Sequence, residues 1–199
     1  MYTKDQVIPF IEKFTLIKNI KFIGSGDDSE AFCVNNEFIF KFPKHNNANI
    51  SIKNEIKLLK NIQNIFEIEI PNVIYENNFI INKNEFTYFV SKKLKGKSLT
   101  KREFLSLGIS NHKKAARAIA CFLKRLHSQY NQNNKVLLHG DFSLNHILFY
   151  KNEVSGILDF ADNYIGNYKN DFKYLLDNED PEEFGKIFGE MVLEIYDKI

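Results

Sequence analysis

Apolar and polar positions follow two different periods along this chain. Through the first ninety residues the period of two dominates. Residues 16–22, 31–35 and 37–42 read as three strands joined by short turns, and residues 71–75 and 85–90 as two more. Strict alternation over 37–42 puts Phe38, Phe40 and Phe42 on one face and Ile39 with Lys41 on the other. Asn35 and Asn36 make a tight turn, because Asn tolerates positive φ. The stretch 23–30, with Gly24 and Gly26, makes a longer one. Two helices accompany these strands. Residues 3–14 put Val7, Ile8, Phe10, Ile11 and Phe14 on one side, with Thr3 or Asp5 as cap and Pro9 working against the pattern. In residues 49–62, Ile52, Ile56, Leu59 and Ile62 recur at helical spacing, and Glu55 lies at the edge of that stripe.

Beyond a lysine-rich connector the period becomes helical. Residues 100–107 form a short helix. Residues 111–129 form a long one, capped by Asn111, with Ala115, Ala118, Ile119, Phe122, Leu123 and Leu126 inward. His127 at its end suits the helix dipole. A polar loop at 131–134 leads through Val136, Leu137 and Leu138 into residues 139–162. These read as loop, strand (147–150), turn (151–153), returning strand and second loop, with Gly140 as mobile punctuation. Residues 171–176 and 181–196 are the last helices, with Pro181 well placed at a start. The expected fold is α+β, in two lobes. Residues 1–90 carry a five-stranded antiparallel sheet with one helix, 91–97 connect, and 98–199 form a mainly helical lobe bearing the hairpin.

Composition adds limits. With 199 residues, 44% hydrophobic and 19 Phe, a core needs no covalent staples. Two cysteines, Cys33 and Cys121, fit a reducing compartment. The first residues lack a signal-peptide apolar core, and no apolar run reaches the roughly 18 residues of a membrane span. The expectation is a cytoplasmic protein, with no membrane or nucleic-acid partner, acting as a monomer. Net charge is +2 but unevenly placed: residues 171–199 carry nine acids against three lysines, so the remainder is strongly basic. A basic front suits nucleotide phosphates and an acidic tail suits a cationic substrate; both are equally the faces of ordinary solvated helices. Lys92, Lys93, Lys95 and Lys97 resemble a phosphate or RNA patch, but a solvated linker explains them as well.

The chemistry concentrates in residues 139–162. If the hairpin returns the chain to its start, Asp159 lies beside His146 and near Asp141. Carboxylates brought together repel and lose hydration. A divalent cation between them offsets that cost, which points to Mg²⁺ with one carboxylate left over as base. Upstream, a lysine beside an isoleucine on a strand wants an anionic partner, and Glu55 can supply it. The turn at Gly24, Ser25 and Gly26 can lay backbone N–H groups over phosphates. The order Gly24/Gly26, Lys41, Glu55, Asp141, His146, Asp159 holds what phosphoryl transfer requires, since its transition state is stabilised mainly by positioning and charge.

Six motifs in this order carry a resemblance. They are Ile23-Gly-Ser-Gly-Asp-Asp-Ser-Glu-Ala-Phe, Phe38-Ile-Phe-Lys-Phe-Pro, Asn54-Glu-Ile-Lys-Leu-Leu, His139-Gly-Asp-Phe-Ser-Leu-Asn-His-Ile-Leu, Gly156-Ile-Leu-Asp-Phe-Ala-Asp and Asp171-Phe-Lys-Tyr-Leu-Leu. The chain resembles the protein-kinase-like antibiotic kinases, and among them the aminoglycoside 2″-phosphotransferases, in a shortened form. The resemblance implies a protein-kinase-like two-lobe fold and ATP or GTP as donor, its purine on the backbone near 89–94. It implies Asp141 as the base, Lys41 paired with Glu55 on phosphates, and His146 with Asp159 on Mg²⁺. His146 replaces the usual Asn and makes Mn²⁺ an alternative. His139 and Asp171 would support the catalytic loop. Gly140 stands in place of an Arg, which implies no control by activation-loop phosphorylation. Asn167 stands where relatives often carry Asp. The chain departs by being short between His127 and His139 and after Asp171, where relatives carry helices that shape the acceptor pocket. The implied activity is phosphorylation of an aminoglycoside or similar cationic acceptor, giving antibiotic resistance. A compact kinase acting on proteins, a nucleotide-binding protein without turnover, and a hydrolase holding Zn²⁺ at His139, Asp141 and His146 are the alternatives.

Overall fold

The computed structural model describes residues 2–81, 83–177, 179 and 184–199. The chain divides into two compact units, one of residues 1–61 and 71–93, the other of residues 62–70 and 94–199. A linear division at residues 90 and 98 does not anticipate that 62–70 belongs with the second unit.

In the first unit, α1 (Lys4–Ile11) starts at Thr3, whose side chain accepts from the Gln6 N–H while Gln6 answers the Thr3 N–H. The helix stops short of residue 14, and Pro9 sits inside it. Five strands follow: β1 (Ile20–Ser25), β2 (Ser29–Val34), β3 (Phe38–Pro43), then, after α2 (Asn46–Asn61), β4 (Val73–Ile81) and β5 (Asn84–Lys92). All neighbours are antiparallel, in the order β1-β2-β3-β5-β4. The β2–β3 turn is the expected Asn35-Asn36 pair, both at φ 56°. Alternation on β3 buries Phe40 and Phe42 against Phe32, Phe79, Phe86 and Tyr88, with α1 supplying Val7 and Ile11. Each such ring removed from water is worth roughly 2 kcal/mol. The Tyr88 hydroxyl, deep in this cluster, donates to the Phe10 carbonyl at 2.9 Å.

The second unit opens with α3 (Lys101–Leu105), closed by a Thr100–Glu103 capping box, and α4 (Ile109–Ser128). The residue before α4 is Gly108 and no side chain caps it; Asn111 lies within the helix and donates its N–H to the Gly108 carbonyl at 2.8 Å. The region 131–138 is a small hairpin, β6 (Asn131–Gln132) and β7 (Lys135–Leu138), instead of a plain loop. The hairpin of β8 (Ile147–Tyr150) and β9 (Glu153–Ile157) turns at Lys151 and Asn152, both at positive φ. The short β10 (Tyr164–Gly166) pairs with β7, and a 3₁₀ turn, Tyr168–Phe172, runs into α5 (Lys173–Leu176). The last helix, α6 (Lys186–Lys198), begins later than residue 181, and Pro181 lies outside the described residues. Its core gathers Phe122, Leu123, Leu126, Phe142, Ile147, Phe160, Phe172 and Val192. Among the described residues no helix is long and apolar enough to cross a membrane.

Candidate active site

β7 delivers the chain to the loop that carries Asp141, and three backbone features fix that loop. Gly140 has φ +91°, and a Cβ there would sit 1.9 Å from the Asp162 carbonyl oxygen, so only glycine fits. Its N–H donates to Asp171 Oδ1 and the His139 N–H to Asp171 Oδ2, both at 2.9 Å. Gly140 is therefore clamped, where the sequence suggested mobile punctuation. The His139 ring is buried, with Nε2 2.9 Å from the Leu158 carbonyl and Nδ1 3.3 Å from the Asp141 N–H. A carbonyl accepts and an N–H donates, so the ring is neutral with its proton on Nε2. Burial, first of several influences, pushes its pKa down.

Asp141 is followed by a tight turn. The Ser143 N–H donates to the Asp141 carbonyl at 3.0 Å, and the His146 N–H to the Ser143 carbonyl at 3.1 Å. The hairpin register pairs Ile147 with Ile157, and the Leu158 N–H then donates to the His146 carbonyl at 2.8 Å. Asp159 follows at φ +61°, a left-handed conformation that a short polar side chain tolerates. The return brings three side chains together. His146 Nδ1 lies 3.5 Å from Asp141 Oδ2, and His146 Nε2 lies 3.9 Å from Asp159 Oδ2. All three remain solvent-accessible, at 31% for Asp141, 22% for His146 and 35% for Asp159.

The tautomer of His146 decides what the cluster can hold. Nδ1 is 2.9 Å from the Asp141 backbone carbonyl, which can only accept, so Nδ1 carries the proton. In the neutral ring Nε2 then turns a lone pair toward the Asp159 carboxylate. Lone pair and carboxylate repel unless a cation lies between them. This donor set fits a divalent ion, with a backbone carbonyl orienting the imidazole from behind. Two such ligands would leave the remaining positions of a Mg²⁺ ion to other oxygen donors, as that ion prefers. Among the described residues no group of three or more His, Cys, Asp or Glu has metal-site spacing. The zinc alternative fails on that count, and because both ring nitrogens of His139 are engaged.

In the first unit, Lys41 on β3 donates to Glu55 Oε2 on α2 at 2.7 Å. Glu55 is buried, deeper than the stripe edge its spacing suggested, whereas the exposed Lys60 on the same helix pairs with Glu76. Gly24 and Ser25 belong to β1, which runs on past the expected strand end; the turn is confined to residues 26–28. The Gly26 N–H donates to the Ser29 carbonyl at 3.1 Å, and the Lys44 ammonium bonds the Gly26 carbonyl. A Cβ at Gly24 or Gly26 would meet nothing within 4 Å. Packing does not demand glycine there, and the backbone is open to close approach.

Sequence reasoning placed Asp171 at the loop but missed what stands behind it. His127 and Tyr196, 44 and 25 residues away, reach Asp171 in series. The available signal was a histidine on the apolar stripe of α4, where a buried imidazole needs two partners.

Residues 111–198 match the model of the phosphotransferase enzyme family. The whole chain is similar to the streptomycin–ATP–APH(2″)-IIa ternary complex, with 25% identity over 100% of this chain and 86% of that one, at a TM-score of 0.83. A gentamicin–APH(2″)-IIa complex matches at 25% identity over 99% and 82%, TM-score 0.84. The GDP and kanamycin complex of APH(2″)-IIia shares the fold at 20% identity over 97% and 82%, TM-score 0.84. With the family match across the Asp141 loop and hairpin and the fold shared throughout, this chain is similar to the aminoglycoside 2″-phosphotransferases and short beside them.

Proposed function

We propose that the chain transfers the γ-phosphate of ATP or GTP to a hydroxyl of an aminoglycoside or similar small cationic acceptor, in the cytoplasm and as a monomer, and so confers antibiotic resistance. The observation that carries this reading is the convergence of Asp141, His146 and Asp159 at the end of the β8–β9 hairpin. Asp141 accepts a hydrogen bond from the acceptor hydroxyl, orients its oxygen for in-line attack and takes its proton late, because the transition state is loose. Mg²⁺, or Mn²⁺ as the softer alternative, when held by His146 and Asp159 supplies charge neutralisation on the phosphate oxygens. Glu55 holds the Lys41 ammonium in one place, from which it meets phosphate oxygens as a fixed charge. The backbone at Gly24, Ser25 and Gly26 approaches the phosphates closely, with no side chain intervening at either glycine. His139 and Asp171 hold the loop. The acidic surplus of residues 171–199 attracts a polyamine acceptor.

The test is transfer of labelled phosphate from ATP or GTP, with Mg²⁺, to a panel containing kanamycin, gentamicin and streptomycin, alongside resistance of cells expressing the chain. Transfer to at least one drug is the expected result. Absence of transfer across the panel, with labelling of proteins in a lysate, would replace this reading with a protein-directed kinase.

A further inference from the structure

Asp171 has a third donor that the catalytic loop does not supply. His127, near the end of α4, places Nε2 3.0 Å from Asp171 Oδ2, the same oxygen that takes the His139 N–H. Its Nδ1 lies 2.8 Å from the Tyr196 hydroxyl on α6. His127, His139, Asp171 and Tyr196 are all buried. An ionised carboxylate only accepts, so His127 Nε2 must carry a proton. In the neutral ring Nδ1 is then a lone pair, and the Tyr196 hydroxyl is the donor that fills it. Burial pushes that hydroxyl up to about 12, so it keeps the proton it donates. Tyr196 is itself held from three sides. Its ring stacks on Tyr168 at 5.4 Å and 9°, the Lys124 ammonium lies 4.4 Å over it, and Lys124 donates to its carbonyl at 3.1 Å.

We infer that Tyr196 is a positioning residue for the loop bearing Asp141: its hydroxyl fills the Nδ1 lone pair of His127 and so holds the ring with Nε2–H on Asp171, and Asp171 holds the His139 and Gly140 amides. Without that hydroxyl a buried Nδ1 lone pair is left unpaired, and the ring is freed to turn away from Asp171 Oδ2. The carboxylate would then shift, and the two amides it grips lie next to Asp141. Small misplacements of a catalytic group cost rate out of proportion to their size. The role deepens the phosphotransferase reading, and only its turnover measurement rests on that reading.

Tyr196→Phe removes the hydroxyl alone and keeps the ring stack and the lysine above it. On the full chain, long-range ¹H–¹⁵N spectra should show His127 as the Nε2–H form in both proteins, with its Nδ1 resonance moved downfield in the variant as the hydrogen bond from the hydroxyl is lost. Hydrogen exchange at the His139 and Gly140 amides should quicken about tenfold, the worth of one neutral hydrogen bond, while β8 and β9 amides keep their rates. The kcat should fall about fivefold with the nucleotide KM within about twofold of the parent. Tyr168→Phe, which leaves the relay intact, should change none of these. In a His127→Gln background, where the side-chain amide donates to Asp171 unaided, adding Tyr196→Phe should change nothing further. An unchanged His127 Nδ1 resonance, unchanged amide exchange, uniformly faster exchange through the unit, or loosened amides with parental kcat would each overturn the inference. If the parent turns over no nucleotide, the phosphotransferase reading fails, while the Nδ1 resonance and exchange measurements still decide whether Tyr196 sets the loop.

Discussion

Two polar clusters lie a few residues apart in the second unit and are built on opposite principles. His127, His139 and Asp171 are buried, and their hydrogen bonds are matched: Asp171 takes three N–H donors, and each ring nitrogen of the two histidines has a partner. Asp141, His146 and Asp159 are a fifth to a third exposed and stand 3.5 and 3.9 Å apart, outside good hydrogen-bond range. A buried polar group is tolerable only when satisfied, and a satisfied network is rigid. In the open cluster the His146 ring turns its Nε2 lone pair toward the Asp159 carboxylate, an arrangement that a cation would relieve. The first cluster holds the loop 139–141, and the second is the one to which the proposed function assigns the chemistry.

That division can be broken most sharply at Asp141. Asp141→Asn should lower phosphate transfer about a thousandfold, roughly 4 kcal/mol of barrier, while nucleotide binding and Tm stay near the parent values. Titration calorimetry beside the turnover assay reads both, and retained turnover would remove Asp141 from its role. Asp171→Asn should act on stability first. The amide can accept through one oxygen only and turns a donor toward a donor, so about 3 kcal/mol of stability goes, or roughly 9 °C of Tm. A melt showing a negligible shift would mean the buried cluster does not hold the loop. The same contrast exists on α2. Glu55→Gln leaves the half-buried Lys41 ammonium without its counter-charge and should cost about 2 kcal/mol in urea unfolding, against less than about 0.5 for Glu76→Gln in the exposed Lys60 pair.

How much of this could be read from sequence varied with the range of the physics involved. The β8–β9 hairpin was legible because a two-residue turn fixes register locally, and a hairpin must bring Asp159 back to His146. The Lys41–Glu55 pair was legible because a lysine on a strand face shared with isoleucine needs an anion nearby. The sheet of β6, β7 and β10 was not, since strands of two to four residues show no alternation to detect. Gly140 carried no sign of its clamp, because the atom that forbids a Cβ there belongs to Asp162. The passage of residues 62–70 into the second unit left no mark in composition. The relay through His127 and Tyr196 spans 69 residues and exists only once α4 and α6 have packed.

The smallest expected effect tests whether the buried cluster controls the open one. His139 is neutral in the fold, and its depressed pKa has burial as the first cause, opposed by the Asp171 carboxylate and reinforced by His146. Unfolded, the same ring titrates near 6.5. Below that pH the unfolded chain binds a proton that the folded chain refuses, so this contribution to stability is present above about pH 6.5 and is lost as pH falls. Between pH 6.5 and 5.5 the loss from this one site should be about 1 kcal/mol. Urea unfolding at these two values, in the parent and in His139→Gln, isolates it, because glutamine removes the titration while its amide can still donate to the Leu158 carbonyl. The geometry gives the loss a direction as well as a size. A second proton on His139 would sit on Nδ1, donor against donor with the Asp141 N–H 3.3 Å away. Acid should therefore loosen the Asp141 amide, seen as faster hydrogen exchange there at pH 5.5, before it unfolds the unit. Equal pH slopes in parent and variant would show that His139 takes up a proton as readily folded as unfolded, and that the buried cluster does not reach Asp141 through this ring.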